Sequence, residues 1–312
     1  MRAFAFLFPG QGSQAVAMLD AWGGHPAVRD TLREASAALG QDVAQLIHEG
    51  PKEALDLTTN TQPVMLTAGI ACYRAWRAEG GTEPAAVAGH SLGEYTALVA
   101  AGALTLGDAL PLVRFRAQAM QDAVPVGVGA MAAILGLDAS AVRDGCAQAA
   151  AASGEVVEAV NFNDPKQTVI AGSKAGVDKG CEILKAMGAK RALLLAVSAP
   201  FHSSLMKPAA ERLREKLAGV TISRPHIAVV NNVDVAVADE PAAIRDALYR
   251  QAFGAVRWVE TVQALRLRGL THLFECGPGK ALAGMVKRID AEAVTMTLFD
   301  PETLGQAKGL LA

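Results

Sequence analysis

Cysteine is scarce and scattered in this chain. The four present, Cys72, Cys146, Cys181 and Cys276, lie far apart and form no C-x-x-C pair. A metal site or disulfide framework is therefore not expected, and a reducing cytoplasmic setting is. Each cysteine reads as a small buried hydrophobe. A surplus of one charge is lacking too. Lys and Arg total 29 against 31 Asp and Glu, a net charge of −2, which argues against a nucleic-acid or membrane-surface protein by bulk charge. No stretch approaches the roughly 18 consecutive apolar residues of a membrane helix. The apolar run that begins the chain stops at Pro9-Gly10, too early for the core of a signal peptide. Internal repeats, low-complexity tracts and long linkers are also missing.

What is present is a globular composition. Of 312 residues, 51% are hydrophobic and 19% charged, so the chain can bury a sizeable core as one large domain with an insertion or as two ordinary ones. Ala3 to Phe8 is a short apolar run ended by Pro-Gly and reads as a buried strand. Helical spacing follows over Pro26 to Ile47 and over Gln62 to Ala78. Ala85 to Ala88 reads as a strand, with a helix after it to about Gly102 and another over Leu106 to Met120. This alternation marks a parallel α/β sheet.

The pattern then changes. Ala130 to Leu137 reads as a strand and Ser140 to Ala152 as a helix. Two strands follow, Val156 to Phe162 and Gln167 to Ala171, joined at Asn163-Asp164-Pro165. Val177 to Met187 reads as a helix and Arg191 to Val197 as a strand. That βαββαβ order predicts a ferredoxin-like unit. Beyond it, alternation resumes, with strand-like segments at His226 to Asn231 and Thr271 to Cys276. The expected organisation is a core over 1–126 and 198–312, interrupted by a small subdomain over 127–197.

The sharpest chemical signal is Gly89-His90-Ser91-Leu92-Gly93. It fits G-x-S-x-G, the nucleophile elbow, with a strand before it and a helix after. The glycines permit a sharp turn, and the helix N-terminus favours developing negative charge. A serine nucleophile needs a base. Among His25, His48, His90, His202, His226 and His272, only His202 follows an apolar strand in a loop of the kind that carries catalysis in α/β folds. His90 adjoins the serine, but neighbouring side chains at an elbow diverge. Several aspartates lie between Ser91 and His202, and the pattern selects no third triad member. Nor does it separate a hydrolase from a transferase.

Longer motifs add a resemblance. Phe8-Pro9-Gly10-Gln11-Gly12-Ser13-Gln14, Gly89 to Glu94, Arg116, Asn161-Phe162-Asn163, Pro200-Phe201-His202, Asn231-Asn232-Val233-Asp234 and Glu275 to Lys280 resemble, in order and over nearly the whole chain, the malonyl-CoA:acyl carrier protein transacylases of bacterial type II fatty acid synthesis. Their relatives are the acyltransferase domains of polyketide and animal fatty acid synthases. The resemblance implies an α/β hydrolase-like core, mostly a parallel sheet, interrupted by a ferredoxin-like βαββαβ subdomain.

It also implies a Ser–His dyad. Ser91 is the nucleophile and His202 the base and acid, with Gln251 lending a backbone carbonyl to the imidazole. The backbone N–H groups of Gln11 and Leu92 form the oxyanion hole. Arg116 grips the malonyl carboxylate, for which a guanidinium offers two parallel donors. Arg114 and Arg116, two apart on a helix, face different ways, so only one should reach the site. Because only its carbonyl is used, Gln251→Ala is expected to be milder than loss of Ser91 or His202. Glu94, in the first turn after the elbow, is read as a complement to the helix dipole.

The implied reaction is ping-pong, from malonyl-CoA to Ser91 and then to the phosphopantetheine thiol of an acyl carrier protein. No metal, cofactor or prosthetic group is implied, nor any nucleic-acid or membrane partner, and a monomer is expected. Carrier proteins of this pathway are acidic, which points to Lys190, Arg191, Lys287 and Arg288 as docking cations. The rivals are a serine hydrolase or thioesterase, a non-catalytic carrier-binding subunit, and the same chemistry placed in polyketide synthesis or malonate decarboxylase loading.

Overall fold

In the computed structural model, which describes residues 2–312, the strands in chain order are β1 (Phe4–Phe8), β2 (Ala86–Gly89), β3 (Gly129–Leu135), β4 (Val157–Asp164), β5 (Gln167–Ser173), β6 (Arg191–Leu194), β7 (Ala228–Val230), β8 (His272–Cys276) and β9 (Thr297–Leu298). They form two sheets. The larger has the order β7-β2-β1-β8-β9, with every pair parallel. The smaller has the order β4-β5-β3-β6, with every pair antiparallel.

The apolar runs explain the larger sheet. Parallel strands are covered on both faces and so lack polar alternation. All five residues of β1 and of β8 are buried. Alternate β1 side chains still separate by face, as the two-residue period requires. Phe4, Phe6 and Phe8 join the core built on the helices Thr58–Ala78 and Leu106–Ala123, while Ala5 and Leu7 join Trp258, Val262 and Leu282 on the other side. Phe6 meets Trp76 and Tyr73 edge-on, at 5.6 and 6.2 Å between ring centroids, the arrangement favoured by the ring quadrupoles.

The smaller sheet has the strand order of a ferredoxin-like fold. Its helices, Ala139–Ser153 and Lys174–Ala186, cover one face, where Ile134, Ile170, Val142 and Leu184 pack together. The other face carries Met131, Val160 and Val169 and packs against Val197 and Phe201. That second face positions the site, because Met131, Val197 and Phe201 all border one cleft.

Several boundaries differ from the sequence reading. The helical stretch over Pro26 to Ile47 is two helices, Pro26–Leu39 and Val43–Glu49. Gly40 ends the first in a left-handed conformation, and Asp42 caps the second by accepting from the Gln45 N–H at 2.9 Å; both are standard helix-end devices. The helix read over Gln62 to Ala78 begins at Thr58, after a short turn of helix over Lys52–Leu55, and carries Pro63 inside it. The last strand of the small sheet ends at Leu194 rather than Val197. Asn163 and Asp164 lie within β4 rather than in the turn. Among the described residues, no helix is long and apolar enough to cross a membrane.

Candidate active site

Register in the parallel sheet assembles the site. Phe8 pairs with Gly89 and Ala88 with Val230. The loops leaving β1, β2 and β7 therefore start side by side at the carboxyl edge, where open α/β sheets place their ligands. Helix Gly93–Ala100 sits directly on this edge. A Cβ on Gly93 would lie 2.0 Å from the Phe8 carbonyl oxygen, and one on Gly89 would lie 1.9 Å from the Gly93 carbonyl carbon. Only glycine permits that approach.

Ser91 occupies the turn with φ 53°, a left-handed conformation that costs a non-glycine residue on the order of 1–3 kcal/mol. It presents its Oγ 2.7 Å from Nε2 of His202. His202 also has positive φ, 66°, in a loop braced by the Ser203 hydroxyl donating to the Pro200 carbonyl and the Ser204 N–H donating to Glu158. Nδ1 of His202 lies 2.9 Å from the backbone oxygen of Gln251. A carbonyl only accepts, so Nδ1 carries the proton and Nε2 turns its lone pair to the serine. Gln251 is the last residue of helix Pro241–Gln251, where carbonyls lack helical partners and the dipole end is negative. No carboxylate is needed to orient this imidazole. Burial above all, and then the Arg116 guanidinium, push its pKa down to about 3, against the pull of the Gln251 carbonyl. It is a neutral base at ordinary pH.

Arg116 is fully buried. Its Nη1 donates to Gln62 Oε1 at 2.8 Å, and its Nη2 to Gln251 Oε1 at 2.9 Å and Ser91 Oγ at 3.3 Å. Nε has no partner. The cation also lies 5.4 Å from the centre of the Tyr95 ring. Arg114 turns the other way, to Gln41 and the Leu39 carbonyl, as the two-residue offset requires.

The cleft over these groups holds about 130 Å³, bordered among others by Gln11, Gln62, Leu92, Met120, Asn161 and Leu195. A water molecule occupies roughly 30 Å³, so the space suits a small acyl group. Gly10 touches the His90 carbonyl, where a Cβ would lie 2.6 Å away, and this brings Gln11 beside the elbow. Both Gln11 and Leu92 border the cleft. Such an arrangement can deprotonate a serine, stabilise an oxyanion with backbone N–H groups, and read an acid group beside the new ester.

The remaining histidines are engaged elsewhere. His25 meets Glu79, His48 meets Asp20, His226 faces Glu83, and His272 contacts Arg2 and Thr271. His90 bonds Asn163 Oδ1 at 2.8 Å and packs on Trp258. The four cysteines are free thiols, and no cluster of metal-ligating side chains occurs among the described residues. The four cations expected to meet a carrier, Lys190, Arg191, Lys287 and Arg288, are all exposed, and Arg288 is paired with the buried Asp164 at 2.6 Å.

Two residues do more than the sequence indicated. Glu94 does lie in the first helical turn, but its side chain turns inward and is buried, accepting from the Asn232 N–H and from Gln251 Nε2. The Gln251 side chain, for which no role was expected, contacts Ser91, Glu94 and Arg116. Gln62 was missed altogether, since nothing in its local sequence marks it.

Comparison with known proteins agrees with this geometry. A family profile described as the acyl transferase domain matches residues 5–279. A malonyl CoA-acyl carrier protein transacylase from Escherichia coli K12 is 50% identical over 308 residues, covering 98% of this chain and 99% of that relative. One from Bacillus subtilis 168 is 45% identical over 305 residues, with 97% and 96% covered. Among solved structures, an acyl-carrier-protein S-malonyltransferase from Burkholderia pseudomallei 1710b superposes with TM-score 0.96 at 66% identity, covering 98% of this chain and 99% of that one. A malonyl-transacylase in complex with its holo type II polyketide acyl-carrier protein superposes with TM-score 0.96 at 46% identity, covering 98% of each. With the elbow serine, the histidine and the buried arginine in one cleft, the chain belongs to the acyl transferase family, among the malonyl CoA-acyl carrier protein transacylases.

Proposed function

We propose that this protein transfers malonyl from malonyl-CoA to the phosphopantetheine thiol of an acyl carrier protein through malonyl-Ser91, supplying malonyl-carrier for fatty acid biosynthesis. The observation that carries the reading is Arg116, a buried cation whose Nη2 lies 3.3 Å from the Ser91 hydroxyl. A general serine hydrolase has no use for a desolvated positive charge beside its acyl group. A malonyl ester places a carboxylate there.

In this reading His202 Nε2 takes the Ser91 proton as Oγ attacks the thioester carbonyl. The N–H groups of Gln11 and Leu92 hold the oxyanion. The carbon–sulfur bond breaks, and Nε2–H protonates the leaving CoA thiolate. The carrier thiol then repeats the sequence in reverse: His202 takes its proton, sulfur attacks malonyl-Ser91, and the proton returns to Ser91. The side chains supply every proton and charge required, so the mechanism calls for no metal or cofactor.

Residues 1–126 and 198–312 then serve as the catalytic core, and 127–197 as a small subdomain roofing the cleft. Lys190, Arg191 and Lys287 are the cations offered to an acidic carrier. Arg288, paired with Asp164, contributes less. The protein works as a monomer in the cytoplasm.

The deciding experiment is intact-protein mass spectrometry after malonyl-CoA addition. One malonyl adduct on the Ser91 peptide, absent in Ser91→Ala and discharged by holo-carrier protein, is expected. Hydrolysis of malonyl-CoA with no gain on adding carrier would favour a thioesterase. Comparing fatty acid and polyketide carriers as acceptors tests the pathway.

A further inference from the structure

The strained backbone of Ser91 is held by side chains from two distant segments. Its N–H donates to Asn232 Oδ1 at 2.8 Å, and its carbonyl accepts from Gln251 Nε2 at 2.9 Å. Asn232 Nδ2 also donates to the Gly89 carbonyl at 2.7 Å. Both peptide groups bracketing the left-handed residue are therefore clamped, one from the loop after β7 and the other from the end of helix Pro241–Gln251.

An amide clamp works only if its oxygen and nitrogen point the right way. The Ser91 N–H and Gly89 carbonyl set the Asn232 amide, and the Ser91 carbonyl and Arg116 set that of Gln251; both residues are held further by Glu94. Its Oε2 accepts from the Asn232 N–H at 2.9 Å and from Gln251 Nε2 at 3.0 Å. The backbone N–H of Asn232 can only donate, so Oε2 is an acceptor, and Gln251 turns Nε2 to it. The same nitrogen then serves the Ser91 carbonyl with its second hydrogen, and Oε1 is left to receive Arg116 Nη2 at 2.9 Å. With Gln251 reversed, the Ser91 carbonyl would face an oxygen and Arg116 would face an amide N–H. Glu94, Asn232 and Gln251 are each buried, so water is not at hand to replace a lost partner and the polar network must satisfy itself.

We propose that Glu94 is a positioning residue for acyl transfer, anchoring the Asn232 backbone and the Gln251 side-chain amide, and so holding in place the two residues that lock the Ser91 backbone and the Gln251 Oε1 that meets Arg116. Glu94 touches neither the acyl group nor CoA. It acts through the placement of Oγ relative to His202 and to the oxyanion N–H groups, where a displacement near 1 Å costs on the order of 10²-fold in rate. The inference rests on Ser91 as the nucleophile.

The test compares Glu94→Gln and Glu94→Met in the full chain. Rates are normalised to folded protein by near-ultraviolet circular dichroism. Single-turnover acylation is followed with malonyl-CoA and with a small neutral ester, p-nitrophenyl acetate. Glu94→Met is expected to acylate roughly 10- to 100-fold more slowly with both reagents, with KM for malonyl-CoA within about threefold of the parent. Glu94→Gln, which can offer its amide oxygen to the same two donors, should recover most of that loss. Equal loss on both reagents locates the defect at Ser91, whereas a fault in carboxylate recognition would spare the neutral ester. Parent-like acylation by folded Glu94→Met overturns the proposal, as does a loss confined to KM or to malonyl-CoA. Should Glu94→Met fail to fold, Asn232→Ala is read in the same way, with slow acylation by both reagents supporting the lock and parent-like rates overturning it. Absence of any Ser91 adduct in the parent protein would instead defeat the functional reading itself.

Discussion

The backbone oxygen of Gln251 stands 2.9 Å from Nδ1 of His202, and the side chain of the same residue contacts both Ser91 and Arg116. One residue thus reaches the proposed nucleophile, the proposed base and the buried cation. Gln251→Ala keeps the carbonyl but removes a donor to the Ser91 carbonyl and an acceptor from Arg116. The variant should lose roughly 10- to 10²-fold in acylation rate, still less than the 10²–10⁴-fold expected when the general base is removed by His202→Ala. Stopped-flow acylation of both variants checks the order. Parent-like rates in Gln251→Ala would mean that its side chain is idle.

His202 should remain neutral well below the usual histidine range. Burial, then Arg116, holds its pKa near 3 against an ordinary 6.5. Nitrogen-15 NMR at pH 5 should show a neutral ring protonated at Nδ1. Between those two pH values the unfolded chain binds a proton that the folded chain does not, so this residue withdraws stability as pH falls through that window. A folded His202→Gln variant should accordingly gain thermal stability relative to the parent between pH 6.5 and 4. A doubly protonated ring at pH 5 would contradict the account.

The conformation of Ser91 makes a separate prediction. At φ 53° glycine is more comfortable than serine, by about 1 kcal/mol or more. Ser91→Gly should form no acyl-enzyme yet unfold at a higher temperature than Ser91→Ala. A lower unfolding temperature for the glycine variant would show that the turn stores no strain.

Gly93→Ala tests how the helix meets the sheet. The added methyl would lie 2.0 Å from the Phe8 oxygen, a backbone atom with little room to retreat. The helix must shift, at a cost of about 3 kcal/mol or more. Urea unfolding measures it, and a change below about 0.5 kcal/mol would place the helix further from β1.

The sequence made part of this legible. Gly89 to Gly93 marked the elbow because tight turns and close packing have few chemical solutions. The apolar run of β1 marked a buried strand, and the alternation of strands with helices marked a parallel sheet. That Arg114 and Arg116 point different ways followed from helical geometry, while the choice of Arg116 for the site came from the resemblance. The inward contacts of Glu94 escaped the sequence because a carboxylate in a first helical turn ordinarily faces solvent. Which way it faces depends on how the helix sits on the sheet. Its partners Asn232 and Gln251 lie 138 and 157 residues away in the chain, beyond any local pattern. Gln62 escaped for the same reason. Pro63 disguised the start of its helix, since a proline usually marks a helix's first turn.

Substrate choice is the central claim, and Arg116 tests it most directly. A desolvated carboxylate left without its partner costs several kcal/mol. Malonyl and acetyl transfer from CoA to carrier protein should be measured side by side on the parent and on Arg116→Ala. Malonyl transfer should fall by roughly 10²-fold or more, while acetyl transfer holds steady or rises. An Arg116→Ala enzyme that still prefers malonyl would place carboxylate recognition elsewhere and contradict the account.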